Sequence, residues 1–362
     1  MKSFVTAAVC VAVSANVVAA QSVNVEALAD LEMWKTDTGS ILLARNHGRM
    51  APQAKVHAWV VVSPVRNLEI VTIGEGVAGY VEDERTEIEL EMMEARLRVG
   101  TGLVLNAGKI LSPIGKFGAR RFSNVNPLIG EPDLYPTQYP WGAIASGSVG
   151  RFDYRAGAMS LPSVNERYTP EPGDQMRPVV GAGVRVGPAM HVGASFTHGP
   201  YLGPTSAAML PTGSSWKDFD QTVFSADARV SVGYIESRLE AAWSSYEVPT
   251  LSKPVHGFGW NDETRVTMTP RIFAAGRFEH FRYAYVGAFP PNYWIGAETV
   301  QRNVEVGLGY RLSEPALLKV SYRRDFWPGV PGPGAPPMPD GSALAVQLSY
   351  HLDVSGMLSR KQ

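Results

Sequence analysis

Cysteine is nearly absent from this chain of 362 residues, since the only one is Cys10. It lies in an N-terminal stretch that has a basic start at Lys2, an apolar run from Phe4 to Val13 and small residues up to Ala20. This pattern is typical of a Sec-type secretory signal peptide, and we predict one over residues 1–20. The remainder of the chain has no thiol, which excludes disulfides and thiolate metal sites.

Long hydrophobic runs are missing as well. After residue 20 no stretch of about 18 apolar residues occurs, which excludes membrane-spanning helices. An excess of one charge is also missing, because 33 Lys and Arg stand against 34 Asp and Glu, so we expect no nucleic-acid partner. A β-barrel stays compatible with these absences, because its strands are short and only half apolar.

Strict alternation of apolar and polar residues dominates the chain from about residue 39. The segment Ser342–Asp353 is typical, with large apolar residues on one face and Ala345, Gln347, Ser349 and His351 on the other. Such a period of two indicates strands with one polar face. In a membrane barrel the apolar face contacts lipid. The alternation then predicts Phe281, Tyr283 and Val306 toward lipid, and Arg282 and Glu305 toward the lumen.

Short and long connections alternate strictly along the chain, with long ones near residues 112–141, 199–220 and 290–298. This sorting is typical of outer-membrane barrels, in which every strand must pair on both sides. We therefore predict an all-β fold, a transmembrane antiparallel β-barrel of about sixteen strands over residues 39–353. Long loops are expected outside the cell and short turns in the periplasm.

The two ends of the chain fall outside this pattern. Residues 21–38 read as helical, and we predict an N-terminal segment that lies in the periplasm or in the lumen. Residues 354–362 are predicted to form a C-terminal tail. With the signal peptide, this organisation predicts export to the outer membrane of a Gram-negative cell, where lipid surrounds the barrel.

Motifs for catalysis or cofactor binding are not found. The glycines around Lys109 lack the spacing of a phosphate-binding loop, and the seven histidines show no pair at metal-ligand spacing. His198 has no adjacent run of the kind that barrel phospholipases carry. We therefore expect no enzyme activity, no cofactor and no metal.

Charged residues remain as the candidate functional groups. Strand parity predicts a mixed set of lumen charges: Arg96, Arg98, Arg155, Arg185, Arg229, Arg282, Lys319, Arg323, Glu89, Glu91, Asp227 and Glu305. Because positive and negative charges are nearly balanced, this set of residues predicts a water-filled lumen but, by itself, no selectivity between anions and cations.

One stretch, from Glu87 to Gly147, carries a more specific pattern. It contains a glutamate-rich strand, a Gly-Lys strand end, a Pro-x-Gly turn, an Asn-Pro segment and a strand with spaced glycines: Glu91, Glu94, Gly108-Lys109, Pro113-Ile114-Gly115, Asn126-Pro127, Gly142 and Gly147. This stretch resembles the phosphate-selective porin O/P-like family of outer-membrane channels. The resemblance implies a sixteen-stranded porin with a loop folded into the lumen, and a homotrimer is compatible with it.

The expected function is therefore a porin-like channel for passive diffusion of small hydrophilic solutes or anions. The alternative is a barrel that serves as a scaffold or sheath for a partner protein, such as a secreted redox protein. For the channel, the long connection 112–141 is predicted to narrow the pore. Its cations Lys116, Arg120 and Arg121, with Lys109 before them, are predicted to set a weak anion preference.

Overall fold

The computed structural model describes residues 22–38, 48–79, 86–132, 134, 139–160, 175–289, 293–327 and 340–359. The predicted signal peptide lies outside these residues. Sixteen strands make up the described structure: β1 Ser22–Thr36, β2 Met50–Val65, β3 Leu68–Gly79, β4 Thr86–Val99, β5 Leu103–Lys109, β6 Trp141–Val149, β7 Phe152–Met159, β8 Arg177–Val186, β9 Met190–Pro200, β10 Asp220–Val232, β11 Ile235–Tyr246, β12 Val255–Thr267, β13 Ile272–Phe289, β14 Tyr293–Arg311, β15 Ala316–Phe326 and β16 Gly341–Asp353.

All sixteen strands pair with their neighbours in sequence, and the sheet closes on itself because β1 pairs with β16. Every pairing is antiparallel, and Leu31 stands opposite Leu348 across the closing pair. Closure leaves no sheet edge, which is what a strand in hydrocarbon requires. The predicted fold class and strand number are confirmed.

The first strand differs from the prediction. Residues 21–38 were expected to be helical and to lie outside the barrel wall, but Ser22–Thr36 is β1, paired with both β2 and β16. The predicted first strand near residue 39 falls largely on residues outside the described ones. The error has a local cause, because Leu28, Leu31 and Trp34 also recur at helical spacing, and only pairing to β16 selects the extended form.

Connections of two kinds lie at the two ends of the barrel. At one end, the short-turn rim, the strands are joined by two to four residues, as at 66–67 and 268–271. At the other end, the long-loop rim, longer connections such as 110–140 and 201–219 occur. The predicted long connection 290–298 is an exception, since β14 begins at Tyr293 and only residues 290–292 join it to β13.

In β16, large apolar and polar side chains lie on opposite faces of the barrel wall, as predicted. Leu344, Val346 and Leu348 are exposed on the outer face, whereas Gln347 and Ser349 are buried on the inner one. Large apolar side chains on the outer surface of a closed barrel are what contact with lipid requires.

Two face assignments in β13 are wrong. Phe281 is 3% exposed and lies inside the barrel, on the same face as Arg277 and Glu279. Arg282 is exposed on the outer face, beside Phe258 in register and 3.5 Å from Glu298. Phe281 faces inward because an apolar part of the 110–140 connection packs against it there. Val306 and Glu305 have the predicted faces.

The C-terminal residues form a short helix, α1 (Val354–Ser359), where a tail was predicted. It packs on β1, since the Val25 backbone N–H donates a 2.6 Å hydrogen bond to Ser355 Oγ. Within the described ranges, none of the helices is both long and apolar enough to cross a bilayer.

Candidate functional site: the inner segment and the lumen

The connection between β5 and β6 enters the barrel, and we call its residues 110–132 and 134 the inner segment. It turns at Gly115, whose φ of 73° is strained for other residues, and continues as a 3₁₀ helix over Phe117–Arg120. Ile110, Ile114 and other apolar residues are buried against the inner wall. The inward folding predicted for this connection is therefore observed.

Lys319 on β15 holds the middle of the inner segment. Its ammonium group donates three hydrogen bonds, of 2.9, 3.0 and 2.8 Å, to the carbonyl oxygens of Ser123, Asn126 and Leu128. Lys319 is 1% exposed, so all three donors of a buried cation are used. On the neighbouring wall, Asp30 of β1 accepts a 2.5 Å hydrogen bond from Ser123 Oγ.

Arg277 on β13 holds the segment further along. Its guanidinium lies 3.2, 2.8 and 2.7 Å from Glu263, Glu279 and Glu305, and it donates a 2.8 Å hydrogen bond to the carbonyl of Gly130. The Gly130 N–H in turn donates to Glu305 at 2.9 Å. A Cβ on Gly130 would come within 2.5 Å of that carboxylate, so this contact requires glycine.

Arg120 and Arg121, predicted to act as free pore cations, are ion-paired and buried. Arg120 lies 2.5 Å from Glu263 and 3.3 Å from Glu240 on the far wall. Arg121 pairs with Glu91 on the opposite side of the barrel and packs over the ring of Phe122. The prediction missed these pairings because each of them depends on how the inner segment lies in the folded barrel, and Glu240 and Glu263 are also more than 100 residues away from Arg120.

The two predicted lysines differ in position. Lys109 pairs in register with Met93 and Trp141, which are both exposed on the outer face, so its predicted place at the constriction is wrong. Lys116 lies inside, and its backbone N–H donates a 3.0 Å hydrogen bond to Glu240. In the described part of the chain, its ammonium group has no hydrogen bond or ion pair, so it is the one candidate pore cation of the four.

Among the described residues, Lys116 borders two cavities beside the inner segment. One, of about 320 Å³, is lined mainly by β9 to β11, with Arg120, His191, Asp227, Arg229, Arg238 and Glu240. The other, of about 440 Å³, is lined mainly by β4 to β7, with Arg98, Asp153 and Arg155. These cavities lie along β4–β7 and β9–β11. The polar anchors of the inner segment lie mainly on β11–β15 and β1, with Arg121 attached to Glu91 of β4.

Apart from Arg282, which lies on the outer face, the other predicted lumen charges have inward positions in the strand register. Most of them pair within the wall: Arg96 with Glu94, Arg98 with Glu69, Arg229 with Glu236, and Asp227 with His191. Arg323 contacts Asp325 and the carbonyl of Glu131, while Arg155, Arg185 and Glu89 share a face with Asp153, His191 and Glu75. These contacts link side chains on the inner face of the wall, where positive and negative charges are nearly balanced.

Arg277 and Glu263 were missed by the sequence reasoning. Their signal was present, because Arg277 and Glu279 alternate with apolar residues in β13. The pattern was read in the wrong phase, since Phe281 shares their face and was assigned to lipid. Arg277, Glu279 and Phe281 are spaced by two residues and so lie on one face of β13. An arginine and a glutamate on the same face as an aromatic residue indicate that this face points into the lumen.

Comparisons with known proteins identify the fold. No family model matches the chain and no curated protein matches it, so the O/P-like family remains a resemblance. Among solved structures, the anion-selective porin from Comamonas acidovorans has a TM-score of 0.60 at 9% identity, covering 91% of this chain and 99% of that one.

Two further structures agree. The trimer form of OmpT, an outer membrane protein of Vibrio cholerae, has a TM-score of 0.58 at 10% identity, covering 91% of this chain and 99% of that one. Salmonella typhi OmpF in complex with daunomycin has a TM-score of 0.59 at 10% identity, with coverages of 91% and 97%. The chain thus has the sixteen-stranded fold of porin-like outer-membrane barrels.

Proposed function

We propose that this chain is an outer-membrane channel for passive diffusion of small hydrophilic solutes, including anions. The observation that carries the proposal is the inner segment, which narrows the lumen of a closed barrel and leaves water-accessible cavities along β4–β7 and β9–β11. Paired charges on the wall keep such a route hydrated. Because neither sign is in excess, they do not exclude ions of either charge.

Lys116 is the residue that we propose to bias this route toward anions. Lys116 borders both cavities, whereas Arg120 and Arg121 are neutralised by glutamates. In a narrow space of reduced effective dielectric, one unpaired cation acts on a passing ion more strongly than a balanced wall does. Weak anion preference follows from this one charge.

Reversal potentials of the purified barrel in a planar bilayer under a salt gradient test both statements. We expect an open channel with a weak anion preference, and we expect Lys116→Gln to shift the reversal potential toward the cation side. Lys109→Gln is the matched control, because it removes the same charge from the outer face and should change nothing. A sealed wild-type barrel would contradict the channel itself, whereas an unchanged reversal potential in Lys116→Gln would contradict only the role of Lys116.

A homotrimer is the assembly that we propose. The outer face of the short strands β5 to β8 carries several alanines, Ala107, Ala143, Ala156 and Ala182, beside larger exposed residues such as Leu105 and Val180. In lipid, small residues let two walls approach closely and gain packing contacts. The mass of the detergent-solubilised protein should correspond to three chains, and a monomeric mass would contradict this assembly.

The alternatives receive less support. A sheath needs a lumen wide enough for a partner, and the inner segment occupies that space. We further propose that the chain is not an enzyme. His198 lies 2.9 Å from the Thr222 hydroxyl and 3.2 Å from Asp220, but these groups stand on paired strands whose backbone N–H groups are used in the sheet. An acyl-transfer site needs free donors for its oxyanion.

A further inference from the structure

Three neighbouring strands bring a histidine and two glutamates together inside the barrel. His57 on β2 stands opposite Glu75 on β3 in register. A bulge follows on β4, where Ile73 pairs with Met92 but Gly74 pairs with Leu90, so Glu91 is the extra residue. Bulges redirect a side chain, and Glu91 is 3% exposed, facing the other two.

His57 is buried without a hydrogen bond. It is 3% exposed, packed against the rings of Trp59 and Phe122, and neither ring nitrogen has a hydrogen-bond partner among the described residues. Its Nε2 is 3.6 Å from Glu75 Oε2 and 4.0 Å from Glu91 Oε2, and both distances are too long for a hydrogen bond. Because buried polar atoms are nearly always bonded, such a histidine requires a partner.

The spacing fits ligands around one metal ion. Ligand atoms at about 2.0–2.2 Å from a tetrahedral zinc ion are about 3.3–3.6 Å apart. The ligand atoms of His57, Glu75 and Glu91 all lie within 4.8 Å of one another, so small rotations of the two glutamates would bring them to these distances. We propose that these three side chains bind a divalent transition-metal ion such as Zn²⁺, through one imidazole nitrogen and two carboxylate oxygens.

The inner segment competes with such an ion. The Arg121 guanidinium already pairs with Glu91 Oε1 and lies 3.9 Å from Glu75 Oε2, while Lys55 Nζ lies 3.8 Å from Glu75 Oε1. A divalent ion between the two carboxylates would weaken the contact with Arg121, since both cations draw on the same two carboxylates and lie closest to the same oxygen of Glu75. Metal binding is therefore coupled to the attachment of the inner segment.

Isothermal titration of the folded, tag-free barrel in detergent with Zn²⁺ tests this proposal independently of conductance. We expect one ion per chain, and we expect His57→Gln and Glu91→Gln each to weaken binding at least about tenfold. Arg121→Gln should instead tighten it, because it removes the competing cation. X-ray absorption at the zinc edge of the wild-type protein should show imidazole and carboxylate ligands.

His280→Gln is the matched control, because His280 faces away from the lumen on β13 and should leave the affinity unchanged. The proposal is overturned if wild type binds no Zn²⁺, or if His57→Gln binds as tightly as wild type. A variant that fails to fold leaves two other measurements, namely the tighter binding of Arg121→Gln and the absorption spectrum of wild type. A spectrum without imidazole would also overturn the proposal.

Discussion

Replacing Lys319 by methionine should release the inner segment from the barrel wall and increase the single-channel conductance. The variant removes a buried cation that donates to three carbonyl oxygens of the segment. A hydrogen bond to a charged group contributes about 1.5–3 kcal/mol, so we expect the free energy of unfolding to fall by at least about 3 kcal/mol. Conductance in planar bilayers and urea unfolding in detergent measure the two effects.

Arg324→Met is the control for this experiment. Arg324 lies on the same strand but is exposed on the outer face, so the variant loses an equal charge without touching the inner segment. Its conductance and stability should stay near those of wild type. If Lys319→Met folds and conducts as wild type does, the inner segment is not held by Lys319.

Arg277→Met is expected to have the largest effect on stability. Arg277 is buried between three glutamates, and removing it leaves carboxylates at Glu263, Glu279 and Glu305 without their shared cation. Breaking a buried ion pair on one side costs about 3–5 kcal/mol, because the remaining charge is buried and uncompensated. We expect a loss of that size in the free energy of unfolding, measured by urea titration.

Neutralising a second partner should restore part of the loss. In Arg277→Met combined with Glu305→Gln, one of the three carboxylates no longer carries a charge, so the double variant should be more stable than Arg277→Met alone. Arg271→Met, at an exposed position in the short turn 268–271 before β13, controls for loss of an arginine and should have little effect. A double variant no better than the single one would mean that Arg277 acts by packing rather than by charge.

The variants of Lys319 and Arg277 both weaken the attachment of the inner segment to the barrel wall. The inner segment is attached through buried charges of the wall, so its position depends on electrostatics as well as on apolar packing at Ile110 and Phe281. Such an attachment can be loosened by a single substitution without opening the barrel, whose strands are held by backbone pairing all around. We therefore expect substitution of Lys319 to change the conductance while leaving the pairing of the strands that close the barrel intact.

The periodicity of the sequence by itself determined the fold class, the number of strands and, apart from the connection predicted at 290–298, the sorting of the connections. These features are local, because alternation and turn residues act over a few neighbouring positions. In β16 the alternation correctly gives Leu344 and Val346 to the outer face and Gln347 to the inner one. The inward course of the inner segment was also predicted, from its length and its resemblance to the porin family.

Only the tertiary structure decided which charges are free and which are paired. Arg120 meets Glu240 and Glu263, more than 100 residues away, and Arg121 meets Glu91 across the lumen, so neither contact has a local signature. Strand β1 was recognised only through its pairing with β16, at the other end of the chain. His57, Glu75 and Glu91 form a cluster for the same reason, since the register of three strands and one bulge brings together residues that no sequence spacing connects.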